Sequence, residues 1–245
     1  LAQGDRVADA LAAADGLAHL HDAPALVFRI AATFNEVGEF ALADAWRARV
    51  PAFEPGPQAE LFWHLNRNDP VAVAERTGAL LARHGQTPDA LAWHGRALIG
   101  AGQYAEAEAM LERALASGPD LQDAANISWS QAEVPVLLAG IAVRRGDAER
   151  ARALEAMALP AIDAVRDEWP RGAQERAFFL DVAMQRHAEA AARLDALPFG
   201  FHLTPLAEGV PLFEGLRAEP AAQAVLAREA RQREYERQRL LDSVS

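Results

Sequence analysis

Pro88 to Pro119 reads PDALAWHGRALIGAGQYAEAEAMLERALASGP and has the pattern of two amphipathic helices joined by a short turn. Leu91 and Leu98 stand seven residues apart, so they lie on one face of the first helix. Gly102 can adopt the positive φ that ends this helix, and Tyr104 begins the second. The apolar stripe of the second helix recurs at spacings of four and three, at Ala107, Leu111 and Ala114. The stretch therefore predicts a helix–turn–helix unit.

This unit resembles the tetratricopeptide repeat, which pairs two helices in about 34 residues. Gly95 fits the repeat because the paired helix must approach closely at that place. His94 departs from it, since the repeat usually has a large apolar residue there, and we interpret His94 as a packing substitution or a partly exposed ring. One unit cannot bury its apolar face alone, so the resemblance implies a stack of such units. The implied fold is all-α, a right-handed α-α superhelix of the solenoid type.

Weaker relatives of this unit lie on both sides of it. Asp69-Pro70, for example, has the residues of a helix start. The further predicted pairs are 24–55, 57–67 with 70–84, 127–145 with 147–165, and 173–186 with 187–197. We expect about five helix pairs in a single domain, residues 1–245, with residues 208–245 as a C-terminal cap. Asp5–Leu20 adds one amphipathic helix whose partner is missing.

The tail carries a second resemblance. Leu216-Arg217-Ala218-Glu219-Pro220 and the arginine-rich helix after it are similar to the ending of certain bacterial regulators. Those regulators join a winged-helix domain, as in the CadC-like type, or a nucleotide-cyclase domain to C-terminal tetratricopeptide repeats. Their phrase usually continues with arginine and phenylalanine, where this chain has Ala221 and Ala222. The resemblance implies the sensory or interaction half of a regulator, although any helix that caps an alanine- and arginine-rich solenoid would have a similar sequence.

Charge and composition exclude several functions. The net charge of −11 argues against nucleic-acid binding by this region, because phosphate contacts need clustered positive charge. No apolar run approaches the roughly 20 residues that span a bilayer, so we expect no membrane segment. Cysteine is absent, which removes disulfides and thiol chemistry. We expect a bacterial cytoplasmic location, or a periplasmic one if the chain is an excised domain.

The catalytic signatures that a sequence can carry are missing here. There is no phosphate-binding loop, no dinucleotide-binding glycine motif, no GxSxG and no HExxH. The seven histidines are scattered, and His19 and His21 point to nearly opposite sides of a helix. We therefore predict no enzyme activity, no catalytic residue, no cofactor and no metal site.

In a tetratricopeptide stack, the first helix of each pair lines a concave groove. The resemblance implies that nine positions face this groove: Phe28, Asn35, Gln58, Phe62, Asp89, Ala92, Arg96, Ile99 and Val136. Arg96 could hold one carboxylate through its planar guanidinium, but a solvated side chain is the favoured interpretation. We expect the groove to bind a protein or peptide partner, or an adjacent domain of the same chain. The oligomeric state is not predicted.

The alternative function is that of a ligand sensor. In that case a small molecule fills the solenoid and shifts the exposure of an attached effector domain. The interaction hypothesis predicts an open groove with peptide-scale contacts, whereas the sensor hypothesis predicts an enclosed pocket with convergent polar groups. An enzyme is a distant third.

Overall fold

A computed structural model describes residues 24–56, 59–60, 63–64, 66–67, 69–119, 121, 128–164, 166, 170–197 and 211–244. Eleven α-helices and the short 3-10 helix Pro211–Phe213 lie within these ranges, and no strand does. The helices are α1 (Pro24–Glu36), α2 (Phe40–Arg47), α3 (Pro70–His84), α4 (Pro88–Gly100), α5 (Tyr104–Ser117), α6 (Trp129–Arg145), α7 (Ala148–Ala164), α8 (Pro170–Ala183), α9 (His187–Ala196), α10 (Glu214–Ala218) and α11 (Pro220–Val244). The prediction of an all-α chain is confirmed for this part.

The helices pack mainly as adjacent pairs. α1 packs on α2, α4 on α5, α6 on α7 and α8 on α9, while α3 packs on α4. α6 also contacts both α4 and α8. The first helices of three successive pairs are therefore direct neighbours, and the prediction of sequential helix pairs is confirmed. That all of residues 1–245 form one domain stays a prediction.

The unit at residues 88–119 forms α4 and α5, with a capping residue, a turn glycine and a close helix contact. Thr87 caps α4, since its hydroxyl oxygen accepts a hydrogen bond from the backbone N–H of Ala90 at 3.2 Å. Gly102 has a φ of +76°, which turns the chain between the two helices. A Cβ atom at Gly95 would lie 2.6 Å from Cγ of Leu111. The close approach predicted at Gly95 is thus confirmed.

His94 serves packing between α3 and α4. Its ring lies against Gly78, where an added Cβ would be 3.2 Å from the ring. Nδ1 of His94 is 3.0 Å from the hydroxyl of Thr77, and burial lowers the pKa of His94. These contacts favour the interpretation of His94 as a packing substitution.

Helix α11 connects the two apolar cores of the protein. Ala222 and Val225 belong to the larger core, which is built from α3 to α11. Leu240 belongs to the smaller core, where it packs with the N-terminal residues Phe28, Ile30, Ala31, Phe34, Ala43 and Trp63. Nε of Arg237 also donates to Oε1 of Glu39 at 2.5 Å. The predicted cap therefore returns to the first helix pair.

Several predictions fall outside the described residues. The helix at Asp5–Leu20 is among them, as is most of the first helix predicted at 57–67, of which residues 59–60 and 63–64 are helical. In the part of the chain that the structure describes, every helix is too short or too polar to cross a membrane.

Candidate functional site

A buried cluster of charged and aromatic side chains lies where α4, α6 and α8 meet. We call it the central face and define it by Arg96 on α4, Glu133 and Gly140 on α6, and Glu175 and Phe179 on α8. On α6, Glu133 and Gly140 are seven residues apart, and on α8, Glu175 and Phe179 are four apart, so each pair shares one side of its helix. The segment Pro211–Phe213 packs on α4 and α8 at this face.

Phe179 of the central face packs with two further phenylalanine rings, those of Phe178 on α8 and of Phe213. The ring of Phe213 lies 6.1 Å from that of Phe178 and 5.8 Å from that of Phe179, in an edge-to-face arrangement with the latter. All three side chains are buried. Because aromatic pairs at these distances and angles attract beyond their buried area, the rings hold Pro211–Phe213 against α8.

Arg96 joins the aromatic and charged parts of the face. Its guanidinium carbon lies 5.3 Å from the ring centre of Phe179 and 5.9 Å from that of Trp93. Its Nη1 donates to Oε2 of Glu133 at 2.6 Å, and the two side chains are 8% and 2% exposed. The interpretation of Arg96 as a solvated side chain is therefore wrong. Glu133 lies in the next helix pair, which is why Arg96 can be buried without losing its charge partner.

Two further charged residues of α8 extend this cluster. Burial raises the pKa of Glu133, and it outweighs the lowering by the charges of Arg96 and Arg176. Burial likewise raises the pKa of Glu175, although Nε of Arg171 donates to its Oε1 at 2.9 Å. Burial lowers the pKa of Arg176. The central face thus holds charges of both signs out of water, where each hydrogen bond to them is strengthened.

Three buried oxygen atoms at or near this cluster could each accept a hydrogen bond. Oε1 of Glu133, Oε2 of Glu175 and Oε1 of Gln131 are buried, and none accepts a hydrogen bond from a described residue. A bound N–H or O–H group, or a water molecule, would satisfy such atoms. Each of these three oxygen atoms could therefore accept a further hydrogen bond.

Asp89, a predicted groove residue, has a structural role at the start of α6. Its Oδ1 accepts hydrogen bonds from the hydroxyls of both Ser128 and Ser130. Ser128 in turn caps α6, because its oxygen accepts from the backbone N–H of Gln131 at 3.2 Å. Asp89 thereby connects α4 to the first turn of α6.

Phe28 and Asn35 belong to the N-terminal pair and lie away from the central face. Nδ2 of Asn35 donates to the backbone oxygen of Trp63 at 2.9 Å, and its Oδ1 accepts from Nε of Arg67 at 2.7 Å. The ring of Phe28 is 5.5 Å from that of Phe53 and 5.8 Å from that of Trp63. Both predicted residues are buried among these partners.

The other predicted groove residues divide into two sets. Ala92, Ile99 and Val136 are buried in the larger core. Gln58 and Phe62 lie outside the described residues. Of the nine positions, Arg96 alone forms part of the central face as defined, and the groove assignment as a whole stays a prediction.

Sequence reasoning missed Glu133, Glu175 and the segment Pro211–Phe213. A signal for Glu133 existed, because it is the single charged residue in a long apolar stretch from Ala132 to Val143. Nothing comparable marked Pro211–Phe213, which is too short to have a periodicity. Among the described residues, no three His, Cys, Asp or Glu side chains are grouped so that they could hold a metal ion.

Comparison with known proteins gave no match: no protein-family model, no curated protein and no solved structure is similar to this chain.

Proposed function

We propose that this chain is a protein-interaction module of a bacterial regulatory protein. In this proposal the helix pairs form a tetratricopeptide-like superhelix, and the central face is the part of its groove that binds a segment of a partner or of an adjacent domain. The single observation that carries the proposal is that a short segment, Pro211–Phe213, already packs on α4 and α8 at this face. The adjacent helix pairs and the tail phrase at residues 216–220 support the same conclusion.

The chemistry of the central face suits a peptide ligand. Aromatic residues, phenylalanine among them, and arginine are enriched at protein interfaces. The rings of Phe178 and Phe179 offer an apolar contact surface, and the guanidinium carbon of Arg96 lies 5.3 Å from the ring centre of Phe179. A partner side chain that packs on these rings would be sequestered from water, and that burial would supply most of the binding energy.

A peptide library tests this function. The full chain is immobilised and challenged with randomised displayed peptides, and the amides that the selected peptide protects from hydrogen exchange are mapped by mass spectrometry. We expect one consensus to be enriched and protection to fall on α4, α6 and α8. The variant Met157→Ser, which changes an exposed apolar residue of α7, should bind equally well. Protection on α5 and α7 instead would refute the proposal, and so would the absence of any consensus with both the wild type and the variant Leu212→Ala.

A ligand sensor is the second candidate, and the spare acceptors of Glu133 and Glu175 favour it. A small molecule with hydrogen-bond donors would satisfy both carboxylates and would raise the melting temperature of the protein in proportion to its affinity. A thermal-shift screen of amines, amides and guanidines measures this. If no compound raises the melting temperature while a library peptide does, the sensor candidate is rejected.

A further inference from the structure

The segment Pro211–Phe213 is seated on three helices at once. Its contacts with α4 and α8 place Phe213 against Phe178 and Phe179, and Phe213 is 2% exposed. On α6, a Cβ at Gly140 would lie 3.1 Å from Cδ1 of Leu212, so the missing side chain of Gly140 makes the space that Leu212 occupies. The central face therefore has one position that fits a branched aliphatic side chain and one that fits an aromatic ring.

We propose that Pro211–Phe213 occupies in cis the site where a partner's segment binds, so that the ligand is a short apolar segment with a branched aliphatic residue followed by an aromatic one. This inference rests on the proposed function. The segment lies outside the helix pairs and follows the last pair in the chain, yet it contacts helices of three different pairs. It packs on the stack as an added peptide would.

The covalent attachment of Pro211–Phe213 to the rest of the chain determines how strongly such a site binds a free peptide. A segment attached to the body of the protein is present at an effective concentration of the order of millimolar, so it outcompetes a free peptide of the same sequence. The apparent affinity for a free peptide equals the intrinsic affinity multiplied by the fraction of molecules in which the site is open. Weakening the cis segment should therefore strengthen binding in trans, which a segment that only filled the core would not do.

A labelled peptide of residues 209–215, GVPLFEG, tests the inference by fluorescence anisotropy on the full chain. The variant Leu212→Ala with Phe213→Ala should bind this peptide at least about tenfold more tightly than the wild type. The same peptide with alanine in place of its phenylalanine is the control, and it should bind neither protein. Equal affinity of wild type and variant for GVPLFEG would overturn the inference, as would equal binding of the control peptide.

A second variant covers the case in which the double variant does not fold. Leu212 is half-buried, and the variant Leu212→Ala retains the side chain of Phe213. This variant should bind the peptide with an affinity between those of wild type and double variant, and GVPLFEG should raise its melting temperature. If it binds no better than the wild type, the inference fails. If GVPLFEG does not bind while a library peptide of another pattern protects the central face, the inference fails and the proposed function stands.

Discussion

Replacing Glu133 by alanine tests how the central face is held together. The side chains of Glu133 and Arg96 are 2% and 8% exposed, and their closest atoms are 2.6 Å apart. Removing one partner of a buried ion pair leaves the other charge in a dry environment without its counter-charge. Glu133→Ala should therefore lower the free energy of unfolding by about 3–5 kcal/mol.

The exposed pair of Arg166 and Asp163 is the matched control. Its closest atoms are 2.5 Å apart, but the side chains are 65% and 63% exposed. Water and salt screen such a pair, so Asp163→Ala should lower the free energy of unfolding by no more than about 1 kcal/mol. Since the two pairs have nearly the same separation, the difference between the variants measures the effect of burial.

A variant without either buried charge separates the cost of leaving one charge unpaired from the net contribution of the ion pair to stability. Arg96→Met combined with Glu133→Leu removes both charges and refills the space with apolar atoms, so it should recover most of the stability that Glu133→Ala loses. Denaturant unfolding followed by far-ultraviolet circular dichroism, with a check that the m-value is constant, gives all the free energies. The reasoning is wrong if Glu133→Ala costs no more than Asp163→Ala, or if the double variant is as unstable as Glu133→Ala.

Three more perturbations have definite outcomes. Gly95→Ala should be about 1–3 kcal/mol less stable than Gly100→Ala in urea, because the added methyl meets Leu111 at 2.6 Å, whereas the nearest atom at Gly100 is 3.7 Å away; equal stabilities would contradict this. Leu240→Ala should cost about 2–5 kcal/mol and speed amide exchange in α1, and unchanged exchange there would argue against the contact between α11 and the first pair. Burial raises the pKa of Glu175 above its ordinary 4.5. The contribution of Glu175 to the free energy of unfolding is therefore fully present below pH 4.5, and it is lost as the pH rises through the raised pKa. Glu175→Gln should therefore gain stability relative to the wild type above pH 4.5, and a pH-independent difference would show that this burial has no effect.

Local signals in the sequence predicted the helices of residues 88–119 well. Pro88 and Gly102 bracket α4, and the structure has this helix at Pro88–Gly100. The stripe at Ala107 and Leu111 predicted which side of α5 is buried, and both residues are fully buried. Such features depend on backbone preferences and on the helical period, which operate within a few residues.

The central face could not be predicted in the same way, because its contacts join residues that are far apart in the chain. Arg96 is buried beside Glu133, 37 residues later, which supplies a counter-charge. The ion pair of Arg237 with Glu39 spans 198 residues. A repeat pattern predicts which neighbouring helices pack together, but it carries no information about which polar groups meet between units or where a tail returns.

Under the proposed function, helix α11 would determine how far the effect of binding extends through the helix pairs. Where each helix pair contacts only its neighbours, a perturbation at one pair fades along the stack. Here α11 runs about 27 Å from Ala222 in the larger core to Leu240 in the smaller one, taking 1.5 Å per residue, and α10 packs on it. Pro211–Phe213 leads directly into α10. A partner that displaces Pro211–Phe213 would therefore shift α10 and α11. Because Leu240 of α11 packs on the first helix pair, we expect binding at the central face to change the packing of that pair.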